Sequence, residues 1–458
     1  MRLIEAVTLS VKSFDNEANV PPYAILSHTW GESEVTLDAL SNSSIPSFTT
    51  QARGYRKITL ACQQALQDGL AYIWVDTCCI DKSSSAELSE AINSMFKWYA
   101  AAEICYAYLD DVEAVLHPYL DEQYDRWFDS WSIDAEELAR ARWFTRGWTL
   151  QELLAPEAVR FYAKGWKYVG TKESLREPLA KITRIDITAL DGVSLGAFSV
   201  ATKMSWAAKR VTSRSEDIAY CLMGLFDVNM PLLYGEGAKA FVRLQEEILK
   251  DSHDQSLFAW QTQRSRDSSQ HSFDRNACRG VSIFATHPIA FEKSNGINPS
   301  TPRAHPTTST NQGVHIELPI VRIPDHSRLP LHCWCKHEPQ AFIIVLNCFY
   351  YDLVARHPAI VVHRSVKDPG MDHFVRLGDT PLMAIHHEVI QAADLRTMML
   401  SKKLLQHPLV LETPAGRLTN RSMAERFKFP SKTASSKDPR VYDCWPSVQD
   451  GHYCLADG

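Results

Sequence analysis

Compact apolar runs and helical stripes alternate along the first half of the chain. Tyr23–Ser27 (YAILS), Tyr72–Val75 (YIWV), Ile104–Leu109 (ICYAYL) and Val159–Tyr162 (VRFY) are rich in aromatic and branched residues and predict strands. Between the first two, Ile58, Cys62, Ala65 and Leu66 recur at helical spacing. Between the second and third, Leu88, Ile92, Met95, Phe96 and Tyr99 do the same. Ser84-x-x-Glu87 predicts a capping box at the start of that helix. Strands separated by amphipathic helices predict an α/β fold of βαβ units around a mostly parallel sheet.

From Thr212 to Lys250 the pattern turns helical. Ser213-x-x-Glu216 predicts a cap for a helix carrying Ile218, Leu222 and Leu225. Phe241, Leu244 and Ile248 mark another, with Pro231, Gly235 and Gly237 punctuating the space between. After about Asp251 polar stretches (Gln261–Asn276, Ser294–Gly313) flank short alternating runs at Val314–Ile320, Ala341–Cys348, Ala359–His363 and Phe374–Leu377. The division expected is an α/β domain over 1–250, a β-rich C-terminal region over 251–430 and a loosely ordered tail over 431–458. There is no repeat of fixed period.

Length and composition narrow the classes. A chain of 458 residues with 45% hydrophobic and 22% charged positions predicts two or three soluble globular domains. A net charge of −6, with no basic block, argues against a nucleic-acid binder. Met1–Ser10 lacks an apolar core and a cleavage site, and runs such as Phe342–Leu346 are too short for a membrane span. Eleven scattered cysteines, an odd number, suit a reducing compartment, so a cytoplasmic location is expected.

Three local signals point elsewhere and are weak. Gly192-Val193-Ser194-Leu195-Gly196 fits the nucleophile elbow of α/β-hydrolases, but Thr183–Asp191 is a poor strand to precede it. His332-Cys333-Trp334-Cys335-Lys336-His337 suggests zinc, yet one residue between the cysteines is too tight and no partner pair exists, so no metal is expected. Cys78-Cys79 follows a strand and reads as buried packing or as a redox-sensitive thiol.

Four ordered blocks resemble the fungal heterokaryon-incompatibility (HET) domain: YAILSHTWG (Tyr23–Gly31), YIWVDTCCIDK (Tyr72–Lys82), RGWTLQELLAP (Arg146–Pro156) and RSEDIAYCLMGLF (Arg214–Phe226). Glu87–Val112 fits as well, and the likeness covers roughly residues 1–250. GVHIELPI and IIVLNC resemble the β-rich extension that often follows this domain. The resemblance implies an effector of regulated cell death and innate immunity, triggered when genetically unlike fungal cells fuse. It also implies an incompatibility partner protein or self-association.

A second resemblance is to the TIR domain, through strand–helix alternation followed by W-x-x-x-E at a helix start. It implies a TIR/flavodoxin-like sheet with added helices, cleavage of NAD as substrate with no required cofactor, and Glu152 as the catalytic glutamate beside Trp148. A polar insertion at about Glu113–Arg140 departs from that pattern.

If Thr149–Leu154 starts a helix, Trp148 and Glu152 share a face. An indole stacks on a planar ring, and a carboxylate accepts ribose hydroxyls and stabilises an oxocarbenium-like transition state. Nicotinamide leaves as a neutral base and needs no proton, so one carboxylate suffices where ordinary glycosidases need two. Candidate nucleotide-binding residues lie just past strand C-termini: Ser27, His28, Trp30 and Gly31 after the first strand, Asp76 and Asp81 after the second. Arg214 and Asp217 stand ready for each other or for phosphates.

Each has a plainer reading. Trp148 and Trp30 fit packing roles, Glu152 a helix-start charge, His28 a satisfied polar group, Asp76 a cap, and Arg214–Asp217 a salt bridge. An enzyme and a non-enzymatic protein–protein signalling module that recruits a death machinery both remain open.

Overall fold

The four predicted strands are the parallel centre of a seven-stranded sheet. In chain order, β1 is Arg2–Glu5, β2 Val11–Ser13, β3 Tyr23–His28, β4 Tyr72–Val75 and β5 Ile104–Leu109. Then β6 (Val115–Asp121) and β7 (Arg126–Ser132) form a separate antiparallel hairpin, and β8 (Val159–Ala163) and β9 (Lys167–Thr171) return to the sheet. The spatial order is β2-β1-β4-β3-β5-β8-β9. Strands β4, β3, β5 and β8 are mutually parallel, while β1, β2 and β9 add antiparallel edges. The sheet is therefore mixed rather than mostly parallel, and the polar insertion contains the β6–β7 hairpin.

This computed structural model describes residues 1–41, 53–121, 126–262, 280–300, 307–322, 341–351, 356–365, 372–378, 380, 382–391, 393–402, 446–449 and 452–455. The chain divides into two compact units, Met1–Ile248 with Thr286–Glu292, and Leu249–Ala285 with Lys293–Gly458. The Cys333/Cys335 segment and residues 431–445 lie outside the described residues.

In the first unit the helices are α1 (Leu37–Ser41), α2 (Arg53–Gln67), α3 (Asp76–Cys79), α4 (Ser85–Ala101), α5 (Ala135–Arg140) and α6 (Thr149–Leu154). The pleat sends alternate residues of β3 to opposite faces. Ile25 pairs with Trp74 and with Cys105, and Trp74 meets Tyr99 of α4 edge-on at 5.8 Å. Leu26 pairs with Tyr106 on the other face, whose hydroxyl donates to Asp68 at the end of α2 (2.6 Å). Helix α2 buries Gly54, Lys57, Ile58, Ala61, Cys62 and Ala65, while Leu66 is exposed.

The expected caps are partly realised. Ser84 accepts from the Glu87 N–H (3.3 Å), but the Glu87 carboxylate pairs with Arg2 and accepts from Asp81 N–H (2.8 Å) instead of closing the box. Ser213-x-x-Glu216 forms no cap. The helix expected there is broken into Asp217–Tyr220 and a 3₁₀ turn at Met223–Phe226, and Glu216 accepts from Gly235 and Gly237 N–H (2.8 and 2.9 Å). The long helix at Lys239–Asp251 buries Phe241, Leu244 and Ile248 as predicted. Ser194 of the elbow-like motif follows a short helix and caps a 3₁₀ turn, so no strand aims it as a nucleophile.

The second unit is built around a ten-stranded, largely antiparallel sheet that includes Val314–Arg322, Ala341–Val345, Arg356–Arg364 and His373–Leu377. Val345, Ala359, Val361, Leu377, Met383 and Ile385 pack as one apolar cluster. Arg376 is buried too, stacked on Trp260 (3.7 Å) and donating to the carbonyls of Phe258 and Trp260. Among the described residues no helix is long and apolar enough to cross a membrane.

Gly54 offers a test of the first unit's packing. Alanine is the better helix former by about 1 kcal/mol, but a Cβ here would collide with the Ser33 carbonyl oxygen. Overpacking of this kind costs about 1–3 kcal/mol, so the clash decides the sign. Gly54→Ala is expected to lower the melting temperature by several degrees in thermal unfolding. Gly196→Ala, which meets only the Ser194 hydroxyl at 3.6 Å, is expected to leave it unchanged.

Candidate functional site

The parallel strands lie in the order second, first, third, fourth, so the chain reverses direction between β3 and β5. In open α/β sheets ligands bind outside the strand C-termini at such a switch point. Ser27 and His28 end β3 there, and the pleat sends them to opposite faces.

Ser27 is fully buried. Its hydroxyl donates to the Glu152 carboxylate and accepts from the Trp143 indole N–H at 2.7 Å. The Tyr99 hydroxyl donates to the Leu26 carbonyl (3.4 Å) and also draws that carboxyl down. Burial pushes the Glu152 carboxyl up to about 8; the bond from Ser27, the Tyr99 hydroxyl and the charge of Arg146 pull it down, and Asp76 adds to the rise. A carboxyl titrating near neutrality can serve either as a proton donor or, ionised, as an acceptor.

Helix α6 is fixed from outside its own sequence. Gly147 N–H donates to the Val211 carbonyl (2.9 Å), and Val211 N–H to that of Thr145 (2.7 Å). Buried Arg210 donates to the Arg146 carbonyl and the Thr149 hydroxyl, each at 2.9 Å. A Cβ at Gly147 would meet Thr212 at 2.5 Å and Cys221 at 3.0 Å, so the residue before Trp148 must be small. Thr149, Leu150, Gln151, Glu152 and Leu153 are all buried, which corrects the reading of Glu152 as a solvated helix-start charge.

On the other face, Glu34 joins the site unannounced by the sequence reading. Its Oε1 accepts from Lys57 Nζ and Gly31 N–H, both at 2.6 Å. Burial pushes the Glu34 carboxyl up, but the His28 ring, the Lys57 cation and the Gly31 N–H together bring it down to about 2. A lysine in the buried stripe of α2 was the available signal, since buried charges require partners. Removing one partner of a buried pair costs about 3–5 kcal/mol. Trp30 is 49% exposed; its indole N–H donates to Asp76 (2.7 Å), and Lys82 sits 3.6 Å from its ring centroid.

The remaining candidates divide. The Asp217 carboxylate accepts from the Tyr234 hydroxyl (3.0 Å) and is drawn down by the Trp148 indole, while Arg214 stacks on that tyrosine at 4.3 Å. Arg214 and Asp217 are thus joined through Tyr234 rather than as a direct ion pair, and burial pushes the Asp217 carboxyl up. Trp148 stands just before α6 and acts on Asp217, whereas Glu152 within the helix accepts from Ser27. Asp81 stands apart, accepting from the Ser83 N–H (2.9 Å) and hydroxyl (2.6 Å) as a loop cap. Cys78 and Cys79 are buried, and burial pushes the Cys78 thiol up to about 12, away from thiolate reactivity.

The two carboxyls give opposite pH limbs. Glu152 titrates at about 8 folded against 4.5 unfolded, so its neutral form stabilises the fold fully below pH 4.5. That contribution is lost as pH rises towards 8. Glu34, at about 2 folded, contributes above pH 4.5 and loses it as pH falls towards 2. Melting temperatures of the wild type and Glu152→Gln from pH 5 to 9 are expected to shift in favour of the variant by several degrees as pH rises. A constant difference across that range would contradict a buried neutral carboxyl.

Residues 23–152 match the family model for heterokaryon incompatibility protein (HET), and residues 239–407 match a domain of unknown function (DUF8212). Over 235 residues, 51% of this chain, the sequence is 47% identical to vegetative incompatibility protein HET-E-1 of Podospora anserina. The match spans 16% of that relative's length. No solved structure matches. The stretch from β3 to Glu152 of α6 is thus similar to the heterokaryon-incompatibility (HET) family.

Proposed function

We propose that the chain acts in the cytoplasm as an effector of heterokaryon incompatibility, a regulated cell death, and that hydrolysis of NAD or a related nucleotide at Glu152 is its output. The HET match and the name of the Podospora relative support the role in incompatibility. The single observation carrying the second is a carboxyl held by Ser27 at the switch point of the sheet. The order of the four parallel strands agrees with a TIR/flavodoxin-like core.

In this reaction the bond from ribose to nicotinamide nitrogen breaks, and its electron pair leaves with nicotinamide. The ionised Glu152 stabilises the oxocarbenium-like sugar, water adds to the anomeric carbon, and the carboxylate takes the released proton. Because the ionised form is the working one, kcat/KM is expected to rise with pH through about 8.

One observation favours a second reading. The Glu152 carboxylate is buried and accepts from Ser27, as a structural group would. On that reading residues 23–152 form a non-enzymatic surface that engages an incompatibility partner or a second copy to recruit a death machinery.

The two separate on purified protein incubated with NAD, alone and in self-associated preparations, with nicotinamide release followed. Glu152→Gln is expected to slow release at least ~100-fold. Equal rates remove Glu152 from the mechanism. Absence of release from every preparation, with Glu152→Gln still killing a fungal host, selects the signalling module.

A further inference from the structure

The C-termini of β3 and β4 hold side chains that the Glu152 chemistry leaves unused. The His28 side chain is 1% exposed, and neither ring nitrogen makes a hydrogen bond. Its Nε2 lies 3.7 Å from Glu34 Oε2 and 3.8 Å from Asp76 Oδ1, and both of those oxygens also lack hydrogen-bond partners. The second oxygen of each carboxylate is occupied: Glu34 Oε1 by Lys57 and Gly31, Asp76 Oδ2 by the Trp30 indole. Three polar atoms converge on one place, and the two carboxylates among them are fixed through their second oxygens. Buried polar groups without partners are exceptions that call for a ligand or water.

We propose that His28, Glu34 and Asp76 bind the vicinal hydroxyls of a ribosyl ligand, with Trp30 as the wall against which the sugar lies. This rests on the nucleotide reading of the switch point and adds where the sugar is held. The gaps are too long for direct hydrogen bonds, yet an oxygen about 2.8 Å from one of these atoms reaches its neighbour as well. Two of the three atoms are carboxylate oxygens, which accept only, so the ligand must donate. Hydroxyls donate, whereas a phosphate offers no donor and is repelled. Lys57 and Lys82 offset the two carboxylates, so the local charge does not call for a cation. The described residues include no set of three His, Cys, Asp or Glu disposed to hold a metal ion. Trp30 is half-exposed beside Asp76 and offers a flat apolar surface next to the acceptors, the pairing that sugar recognition uses.

The test is titration calorimetry of the full chain with ADP-ribose, the product of the proposed hydrolysis, with each variant's fold checked by thermal melting. Asp76→Asn and Trp30→Ala are each expected to weaken binding at least tenfold. Asp81→Asn, which alters only a loop cap, is expected to stay within twofold. If Asp76→Asn does not fold, Trp30→Ala at the exposed rim carries the comparison. Ribose 5-phosphate is expected to displace ADP-ribose at concentrations where 2-deoxyribose 5-phosphate does not. Wild-type affinity in both Asp76→Asn and Trp30→Ala, equal displacement by the two sugars, or no binding to the wild type overturns the proposal. Nicotinamide release separates it from the hydrolysis reading. Glu152-dependent release with an unchanged KM in Asp76→Asn sinks the diol site alone. Binding that requires Asp76 and Trp30 without any release sinks hydrolysis alone.

Discussion

A carboxyl buried against the end of a parallel strand governs the first unit. Glu152 loses its hydration in the interior, and the neutral form is favoured unless hydrogen bonds replace the lost water. Ser27 supplies such a bond and is itself held by the Trp143 indole, while the Tyr99 hydroxyl of α4, which donates to the Leu26 carbonyl, also favours the ionised form. The 3₁₀ turn at Arg142–Thr145, helix α4 and helix α6 must therefore all meet the same face of β3. A shift of β3 by one residue would exchange Ser27 for His28 and leave the carboxyl against an imidazole that belongs to the other face.

That alternation also divides the chemistry. On one face a carboxyl is pushed up to about 8, chiefly by burial. On the other, Glu34 is brought down to about 2 by His28, Lys57 and Gly31, which outweigh its burial. Two carboxyls whose environments drive them apart are the arrangement in which one fold can hold a proton at one point and a fixed negative charge at another. The separation comes from the period of the strand, because successive side chains of β3 cannot face the same partners.

How much of this was readable from the sequence follows from the size of each signal. Strands β3, β4, β5 and β8 are apolar runs with most of their residues buried, and they stood out. Strands β1, β2 and β9 span three to five residues of mixed character and are recruited by pairing with neighbours, which no local pattern encodes. The Ser213-x-x-Glu216 signal failed because two glycine N–H groups, nineteen and twenty-one residues downstream, compete for the same carboxylate. Ser27, His28, Trp30 and Asp76 were nominated by their place after strands. Glu34 was missed because it sits in a short polar loop, and its only trace was Lys57 among the buried residues of α2.

The residues that position Glu152 extend past the family match. The match ends at residue 152, within α6, yet α6 is held by Arg210, Val211 and Thr212. Arg210 donates to the carbonyl of Arg146 and the hydroxyl of Thr149 from a buried position, so its removal would take one donor from each in the interior and leave only the Thr149 hydroxyl on that carbonyl. Val211 bridges the backbone on both sides of Arg146, and Thr212 closes over Gly147. A fragment stopping at residue 152 would keep Trp148 and Glu152 in the sequence and lose the contacts that fix their helix. The smallest unit able to present this carboxyl to a ligand therefore includes the segment around 210–212, and the W-x-x-x-E motif describes only its nearer half.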